Sequence, residues 1–401
     1  MKEVVIVGGG ASGLTAAITA ARNGKDVTII EKNNKCGKKI LITGNGRCNF
    51  WNTDKDLSHF HSSNSNLLKE FITDERKNSI LKFFDSLGLA YKTKNGYYYP
   101  FSNQAFTIEN ALLSECKKLN IKIINDITVE KIIKEDCFII NPNKENIKAK
   151  NIIIATGSKA APKTGSDGLG YELAKSLGHN IITSLPSLVQ LKADEPYFKN
   201  WSGIRTDVKV NLLIDHKYIK SETGEIQLTN YGLSGICIFN LSGKAAKALN
   251  QNKNVIISIN FIPFASNPKT FLQTLNKNSY HKTISELLEG ILHYKLVDII
   301  LKKTHLKRDL LLNTLTDNEL NNLIKTLTDF QIKILDTHTL DHAQVCSGGI
   351  PLTEINNKTL ESLKVKNLYF TGEIIDIDGD CGGYNLGWAW ISGIIAGKNV
   401  K

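Results

Sequence analysis

Glu3-Val-Val-Ile-Val-Gly-Gly-Gly-Ala-Ser-Gly13, continuing through Leu14-Thr-Ala-Ala-Ile-Thr-Ala-Ala-Arg-Asn-Gly24 to Asp26-Val-Thr-Ile-Ile-Glu31, decides the fold. Residues 3–7 are an apolar, β-branched run of the kind that is buried on both faces of a parallel sheet. Residues 12–23 are alanine-rich and close on Gly24, which predicts a helix with a glycine C-cap. Residues 26–30 read as a second strand. The whole is one βαβ unit in roughly 30 residues. Its turn, Gly8-Gly-Gly10-Ala11-Ser12-Gly13, fits G-x-G-x-x-G, and Glu31 closes the second strand about 20 residues on. Each part has a task. Gly8 permits the tight turn, Gly10 lets backbone approach a pyrophosphate, and Gly13 lets helix pack on strand. The free N–H groups and dipole of the helix start favour phosphate. Glu31 accepts hydrogen bonds from ribose hydroxyls and repels a 2′-phosphate.

The rest of the chain extends this unit. Helical segments are expected near 66–87, 105–119 and 168–177, and strands at 121–125, 137–140 and 151–155. From 188 to 262 the texture is β-like, with Val208–Ile214, Glu225–Thr229 and Val255–Ile262 rich in β-branched residues. From 268 to 330 apolar residues recur at helical spacing, and 343–401 returns to glycine-rich strands. The fold class is therefore α/β: a Rossmann-like dinucleotide-binding domain interrupted by an insert that is part β and part helical. The expected boundaries are 1–187, 188–266, 267–335 and 336–401.

Composition narrows the function. Apolar residues make up 41% and charged residues 22%, as in an ordinary globular protein. No apolar run approaches the roughly 18 residues that cross a bilayer. The segment 1–13 has no basic stretch beyond Lys2, so it reads as a buried strand and the protein as cytoplasmic. None of the seven cysteines forms a Cys-x-x-Cys pair, which argues against zinc and against a disulfide framework. The net charge of +11 is spread over scattered lysines, not a dense stripe, which argues against a nucleic-acid partner. His59 and His61 lie in a polar segment, and His338 and His342 flank Thr-Leu-Asp; a solvated or packing role is expected for all four, and no metal site.

The motif alone does not separate FAD from NAD. Two later strands favour FAD: Asn151-Ile-Ile-Ile-Ala155-Thr156-Gly157 and Asn367-Leu-Tyr-Phe-Thr-Gly372-Glu373. Glycine-ended strands of this kind flank the cofactor in two-dinucleotide-type flavoproteins.

With these and longer motifs the chain resembles the BaiN/RdsA-type NAD(P)/FAD-dependent oxidoreductases, a family whose members are also called aminoacetone-oxidase-like flavoproteins. The marks are Gly37-Lys-Lys39-Ile-Leu-Ile-Thr43-Gly44-Asn-Gly46-Arg47-Cys48-Asn49, Tyr99-Pro-Phe-Ser102, Pro162-Lys-Thr-Gly165, Gly232-Leu-Ser-Gly235, Ser347-Gly-Gly349, and Thr371-Gly-Glu373 leading to Cys381-Gly-Gly383-Tyr384-Asn385-Leu386-Gly-Trp-Ala389. Family members carry Thr-His before Gly-Leu-Ser-Gly and Pro after it; here Thr229-Asn230 and Ile236 stand there, which bears on substrate and proton donor.

The resemblance implies a Rossmann-like FAD-binding domain of the two-dinucleotide-binding flavoprotein type, interrupted by a β-barrel-like insert and a helical insert, with the Gly37–Asn49 loop and the Cys381–Trp388 turn meeting near the isoalloxazine ring. The expected cofactor-binding residues are Gly8, Gly10, Ala11, Ser12, Gly13, Glu31, Lys32, Lys39, Thr43, Gly44, Gly46, Arg47, Cys48, Asn49, Val129, Ala155, Thr156, Gly157, Gly372, Glu373, Gly383, Tyr384, Asn385 and Leu386. Gly382 and Gly383 precede an expected helix at 385–395 whose start stabilises negative charge on the reduced flavin's N1–C2=O edge. Arg47 is a candidate anchor for a substrate carboxylate or carbonyl, or for the pyrophosphate. Asn49 and Tyr384 are the other catalytic candidates, Tyr384 as a proton donor. Cys48 reads as a buried, inert thiol in preference to a reactive one.

The leading expectation is an FAD oxidoreductase acting on a carbonyl or conjugated double bond of a small organic substrate, with NADH or NADPH as transient electron donor. No second G-x-G-x-x-G marks a separate NAD(P)H domain. The alternatives are a flavin-dependent RNA-modifying enzyme and a non-catalytic flavin-binding redox sensor.

Overall fold

The computed structural model describes residues 1–142, 146–279 and 281–401. It has two compact units: Met1–Leu185 with Leu340–Lys401, and Pro186–Thr339.

The first unit is built on the βαβ turn. Strand β1 (Lys2–Val7), helix α1 (Ala11–Arg22) and strand β2 (Val27–Ile30) follow one another. Helices α2 (Lys38–Ile42) and α3 (Ala105–Lys118) come next, then strands β3 (Lys122–Ile124), β4 (Val129–Lys134), β5 (Phe138–Pro142), β6 (Ile147–Ile154) and β7 (Leu368–Phe370), and helix α4 (Tyr384–Asn399). The sheet order is β3-β2-β1-β6-β5-β4, with β7 also on β6. β1, β2, β3, β6 and β7 are parallel. Val4, Val5 and Ile6 have no exposed surface, as a strand covered on both faces requires. β6 divides one of its edges between two partners. Ile147–Ala149 pairs antiparallel with β5, and Ile152–Ile154 pairs parallel with β7. The antiparallel arm β6-β5-β4 therefore leaves the sheet before its carboxyl end, where the motifs lie.

Helix α4 crosses α1 at very close range. A Cβ on Gly393 would lie 2.6 Å from the Ser12 carbonyl oxygen, and one on Gly397 would lie 2.5 Å from that of Ala16. Two glycines four apart on one helix face are what let the backbones approach this far.

The second unit is a closed six-stranded antiparallel barrel. Its order is Leu191–Ala193, Gly232–Ser234, Lys217–Leu228, Arg205–Ile214, Val255–Asn260 and Phe330–Thr337, the last returning to the first. Four helices, Pro268–Asn278, Ile284–Glu289, Tyr294–Thr304 and Asp317–Thr328, are inserted between the last two strands in sequence. Two expectations are corrected here. Residues 330–335, read as the end of the helical insert, form the closing strand, because Phe330, Ile332 and Ile334 alternate inward with period two. Conversely, the β-rich stretch contains a long helix, Ile236–Asn250, buried through Ile238, Leu241, Ala245 and Ala248 at three- and four-residue spacing.

Candidate cofactor and active site

The turn between β1 and α1 is a tight backbone cradle. Gly8 has φ +105°, and a Cβ on it would lie 2.6 Å from the Ala155 carbonyl oxygen. A Cβ on Gly13 would lie 2.0 Å from the Gly8 carbonyl oxygen. Gly10 differs from both, since a Cβ there would meet nothing within 4 Å. The first intrahelical bond runs from Leu14 N–H to the Gly10 carbonyl at 2.9 Å. The N–H groups of Ala11, Ser12 and Gly13 lie ahead of it, with no side-chain cap and no acidic residue in the first turn. The start of α1 thus presents donors and positive dipole beside open space.

Glu31 is buried beside this turn. One carboxylate oxygen accepts from Gly9 N–H at 2.7 Å, and the other accepts from the backbone and side-chain amides of Asn33 at 2.8 and 2.7 Å. Lys32 turns to Asp167 instead, at 2.5 Å.

The carboxyl ends of β6 and β7 line up with that of β1. Ala155 N–H donates to the Val7 carbonyl at 2.8 Å and Thr371 N–H to the Ile154 carbonyl at 3.1 Å. The hydroxyls of Thr156 and Thr371 are buried here with no hydrogen-bond partner among the described residues. Gly157 and Gly372 both have positive φ, and a Cβ on Gly372 would lie 2.5 Å from Ser12 Oγ. Glu373 accepts from Lys39 Nζ at 2.7 Å and from Ser158 Oγ at 2.9 Å, which ties α2 to the strand ends. Val129 opens β4 on the antiparallel arm, two strands beyond β6.

After α2 the chain enters a run of left-handed backbone: Gly44 at φ 55°, Asn45 at 53°, Gly46 at 79° and Cys48 at 56°. For Asn45 and Cys48 this conformation costs about 1–3 kcal/mol each, and it persists only where the surroundings impose it. Cys48 N–H donates to the Thr43 carbonyl at 3.0 Å, and Thr43 Oγ1 to the Ile40 carbonyl at 2.6 Å. Arg47 is exposed at the bend, with no ion pair among the described residues. Burial pushes the Cys48 thiol up to about 12.

This loop meets the start of α4. A Cβ on Gly383 would lie 2.9 Å from Trp51 N and 3.0 Å from Asn49 Oδ1, an oxygen buried with no partner among the described residues. Asn52 Nδ2 donates to the Gly382 carbonyl at 3.0 Å, and Trp390 Nε1 to the Phe50 carbonyl at 3.0 Å. The two glycine segments are therefore adjacent.

Three residues at the start of α4 have other engagements. The Tyr384 hydroxyl donates to the Asp54 carbonyl at 3.1 Å, and burial holds the phenol well above its ordinary range. The Asn385 side chain accepts from Gly379 N–H at 2.9 Å and donates to the Gly379 carbonyl at 2.7 Å, so it clamps backbone. Leu386 packs against the core of this unit.

One cluster has no counterpart in the sequence reading. His59 and His61, expected to be solvated or merely packed, both bind the buried Asp380, His59 Nδ1 at 3.1 Å and His61 Nε2 at 2.8 Å. Their partner is 321 and 319 residues away, so no spacing announces it. The one available signal is the Asp376-Ile-Asp-Gly-Asp380 run just ahead of Cys381. Among the described residues no group of three or more side chains is arranged to hold a metal ion.

The HI0933-like protein Rossmann domain profile matches residues 2–399. The chain belongs to this family. The resemblance carried by the motifs thus spans the whole chain. A 3-dehydro-bile acid delta(4,6)-reductase from Clostridium scindens is 39% identical over 99% of this chain and 98% of its own. The ribosomal RNA dihydrouridine synthases of Haemophilus influenzae and Escherichia coli are 29% and 27% identical, over 100% and 97% of this chain and 98% and 96% of theirs. Among solved structures, a 3-ketosteroid delta1-dehydrogenase from Sterolibacterium denitrificans superposes with TM-score 0.52 at 10% identity, covering 98% of both chains. A flavocytochrome c3 fumarate reductase superposes with TM-score 0.50 at 15% identity, over 100% of this chain and 78% of its own. These two likenesses speak for the fold alone.

Proposed function

We propose that this family member is an FAD-dependent reductase that saturates a carbon–carbon double bond conjugated to a carbonyl in a small organic substrate, with NADH or NADPH as transient electron donor. The observation that carries the reading is the start of α1. It is uncapped, free of acidic side chains in its first turn, and open in front of Gly10, with a buried carboxylate, Glu31, beside it. This combination fits a pyrophosphate on the helix and a ribose on the carboxylate. The buried, unpartnered oxygens of Thr156, Thr371 and Asn49 fit further polar contacts with the cofactor.

When bound, FAD supplies hydride transfer through its N5 atom. The chain supplies the setting. Gly382 and Gly383 place backbone donors at the start of α4, where negative charge is stabilised. The strained 44–48 loop holds Arg47 outward, where its planar fork can orient a carbonyl or carboxylate. Tyr384 is committed to Asp54, so the geometry favours Arg47 and Asn49 over Tyr384 for contact with substrate or flavin. The choice of a conjugated double bond rests on the bile acid reductase relative. The seven free cysteines fit a reducing, cytoplasmic setting.

The ribosomal RNA relatives and the +11 charge support a second reading, the same chemistry on a uracil ring in RNA. One experiment separates the two. The FAD-loaded enzyme is photoreduced anaerobically with EDTA as the sacrificial electron donor and mixed with an α,β-unsaturated 3-oxosteroid, its saturated counterpart, or unmodified ribosomal RNA. Rapid flavin reoxidation by the unsaturated ketone alone is expected. Reoxidation by RNA alone, weakened by salt, establishes the second reading. Equal reoxidation by the saturated ketone overturns the assignment to the double bond.

A further inference from the structure

The His59–Asp380–His61 cluster lies one residue before the Cys381-Gly382-Gly383 turn. Phe60–His61 pairs antiparallel with Asp378–Gly379, and Asp380 N–H donates to the His59 carbonyl at 2.9 Å, so the two segments are joined through backbone as well as side chains. His59 has a carboxylate on each ring nitrogen: Asp380 at 3.1 Å on Nδ1 and Asp54 at 3.0 Å on Nε2. Ionised carboxylates only accept, so with Asp54 and Asp380 both ionised each ring nitrogen carries hydrogen and the ring is an imidazolium. The ring also stacks on Tyr384, the first residue of α4, with centroids 4.4 Å apart and planes 15° apart. Burial pulls the His59 pKa down, but the two carboxylates outweigh it and the net direction is up. Other charged or titratable groups around the His59–Asp380 pair are His61, on the second Asp380 oxygen at 2.8 Å, Asp56 just ahead of the ring, with Lys77 near Asp56, and the phenol of Tyr384, which burial keeps neutral.

We propose that His59 is a positioning residue for the flavin's redox state: its proton offsets part of the charge of the carboxylates around it beside the glycine turn, and loss of that proton adds one negative charge to the His59–Asp380–His61 cluster, which lowers the flavin's reduction potential. The inference rests on the reading that FAD lies against the Gly382–Gly383 turn. Negative charge grows on the flavin when it is reduced, and one more negative charge in a partly buried cluster nearby opposes that growth. By linkage, the reduced flavin in turn raises the His59 pKa. Between the pKa values of the oxidised and reduced states, each two-electron reduction therefore takes up one additional proton, held on His59.

Two measurements test this. Nitrogen-15 NMR of the histidine rings in the flavin-free protein reports whether His59 is doubly protonated at pH 7. Dye-equilibration potentials of the FAD-loaded protein between pH 5.5 and 9 report the proton count. The wild type is expected to show a segment steeper by one proton per two electrons. His59→Gln loses that segment. Asp54→Asn, which removes an exposed carboxylate and leaves Asp380 in place, moves it to lower pH and lowers the NMR midpoint of His59 in parallel. If His59→Gln fails to hold FAD, Asp54→Asn carries the test. A neutral His59 at pH 7, or identical potential profiles in wild type and variants, overturns the proposal. If the wild type takes up no FAD, the underlying reading falls and the proposal with it. The NMR titration then still shows whether the cluster itself is as described, so the two failures are distinguishable.

Discussion

At the scale of single residues, the glycine motif was legible because its logic is local. Gly8, Gly10 and Gly13 each occupy the position their spacing implies. Glu31 adds something the motif leaves out, since it holds the cradle together through Gly9 and Asn33. Replacing Glu31 by Ala leaves the buried Gly9 N–H without an acceptor. We expect a stability loss of about 1–3 kcal/mol in denaturant melts, together with FAD affinity weakened at least about tenfold. Asn385 and Tyr384 mark the limit of reading from sequence. A motif places them beside the turn but does not say which way a side chain faces, and both face protein backbone. Cys48 is buried. With its thiol pushed up to about 12, iodoacetamide at pH 8 should leave it unlabelled in the native protein and label it after unfolding, as mass spectrometry would show.

At the scale of elements, long runs with one clear period were readable, and elements defined by distant partners were not. The expected single helix over 66–87 is interrupted: Thr73 caps a new helix, Asp74–Ser86, by accepting from Arg76 N–H. The closing barrel strand, Phe330–Thr337, begins two residues after a helix ends, so its period of two is masked by the helical texture before it. The α1–α4 contact was also hidden, because two glycines in an apolar helix do not name their neighbour. It makes a firm prediction. Gly397→Leu drives a side chain into the α1 backbone and should cost about 1–3 kcal/mol or more. Lys398→Leu, one residue on and exposed, should stay within about 0.5 kcal/mol. Thermal unfolding compares the two.

At the scale of the whole molecule, the alternation of α/β, β and helical textures was visible in sequence, whereas the joining of distant segments was not. The first unit returns to its sheet only at β7, after residue 367, and a buried network helps pin that return. His179 Nδ1 lies 2.8 Å from Glu354 and its Nε2 lies 2.8 Å from Ser362 Oγ, while Lys364 and Asn180 hold the other Glu354 oxygen. Burial keeps the His179 pKa below its ordinary value, only partly offset by Glu354. The folded state therefore resists a proton that the unfolded chain accepts. The contribution is complete above the ordinary histidine pKa of about 6.5 and is lost as pH falls below it. Burial works against ionisation of Glu354, but Lys364 and Asn180 win, so its own contribution fades only at lower pH, in the carboxylate range. His59 has the opposite sign, because its raised pKa favours the fold at low pH. The melting temperature of His59→Gln should thus fall more steeply between pH 7.5 and 5.5 than that of wild type, and that of His179→Asn less steeply.

The central claim is that FAD sits in the cradle before α1, and Gly10 offers the most direct test. A Cβ there meets no protein atom within 4 Å, and the residue has φ −79° with extended ψ, a conformation open to valine. Gly10→Val should therefore fold like the wild type while filling the space assigned to the pyrophosphate. The measurement is the visible absorption spectrum of both purified proteins after incubation with FAD and gel filtration, with circular dichroism to compare their folds. The account predicts a flavin spectrum and releasable FAD for the wild type, and a folded but colourless variant. A wild type that takes up no FAD, or a variant that retains it equally well, would contradict it.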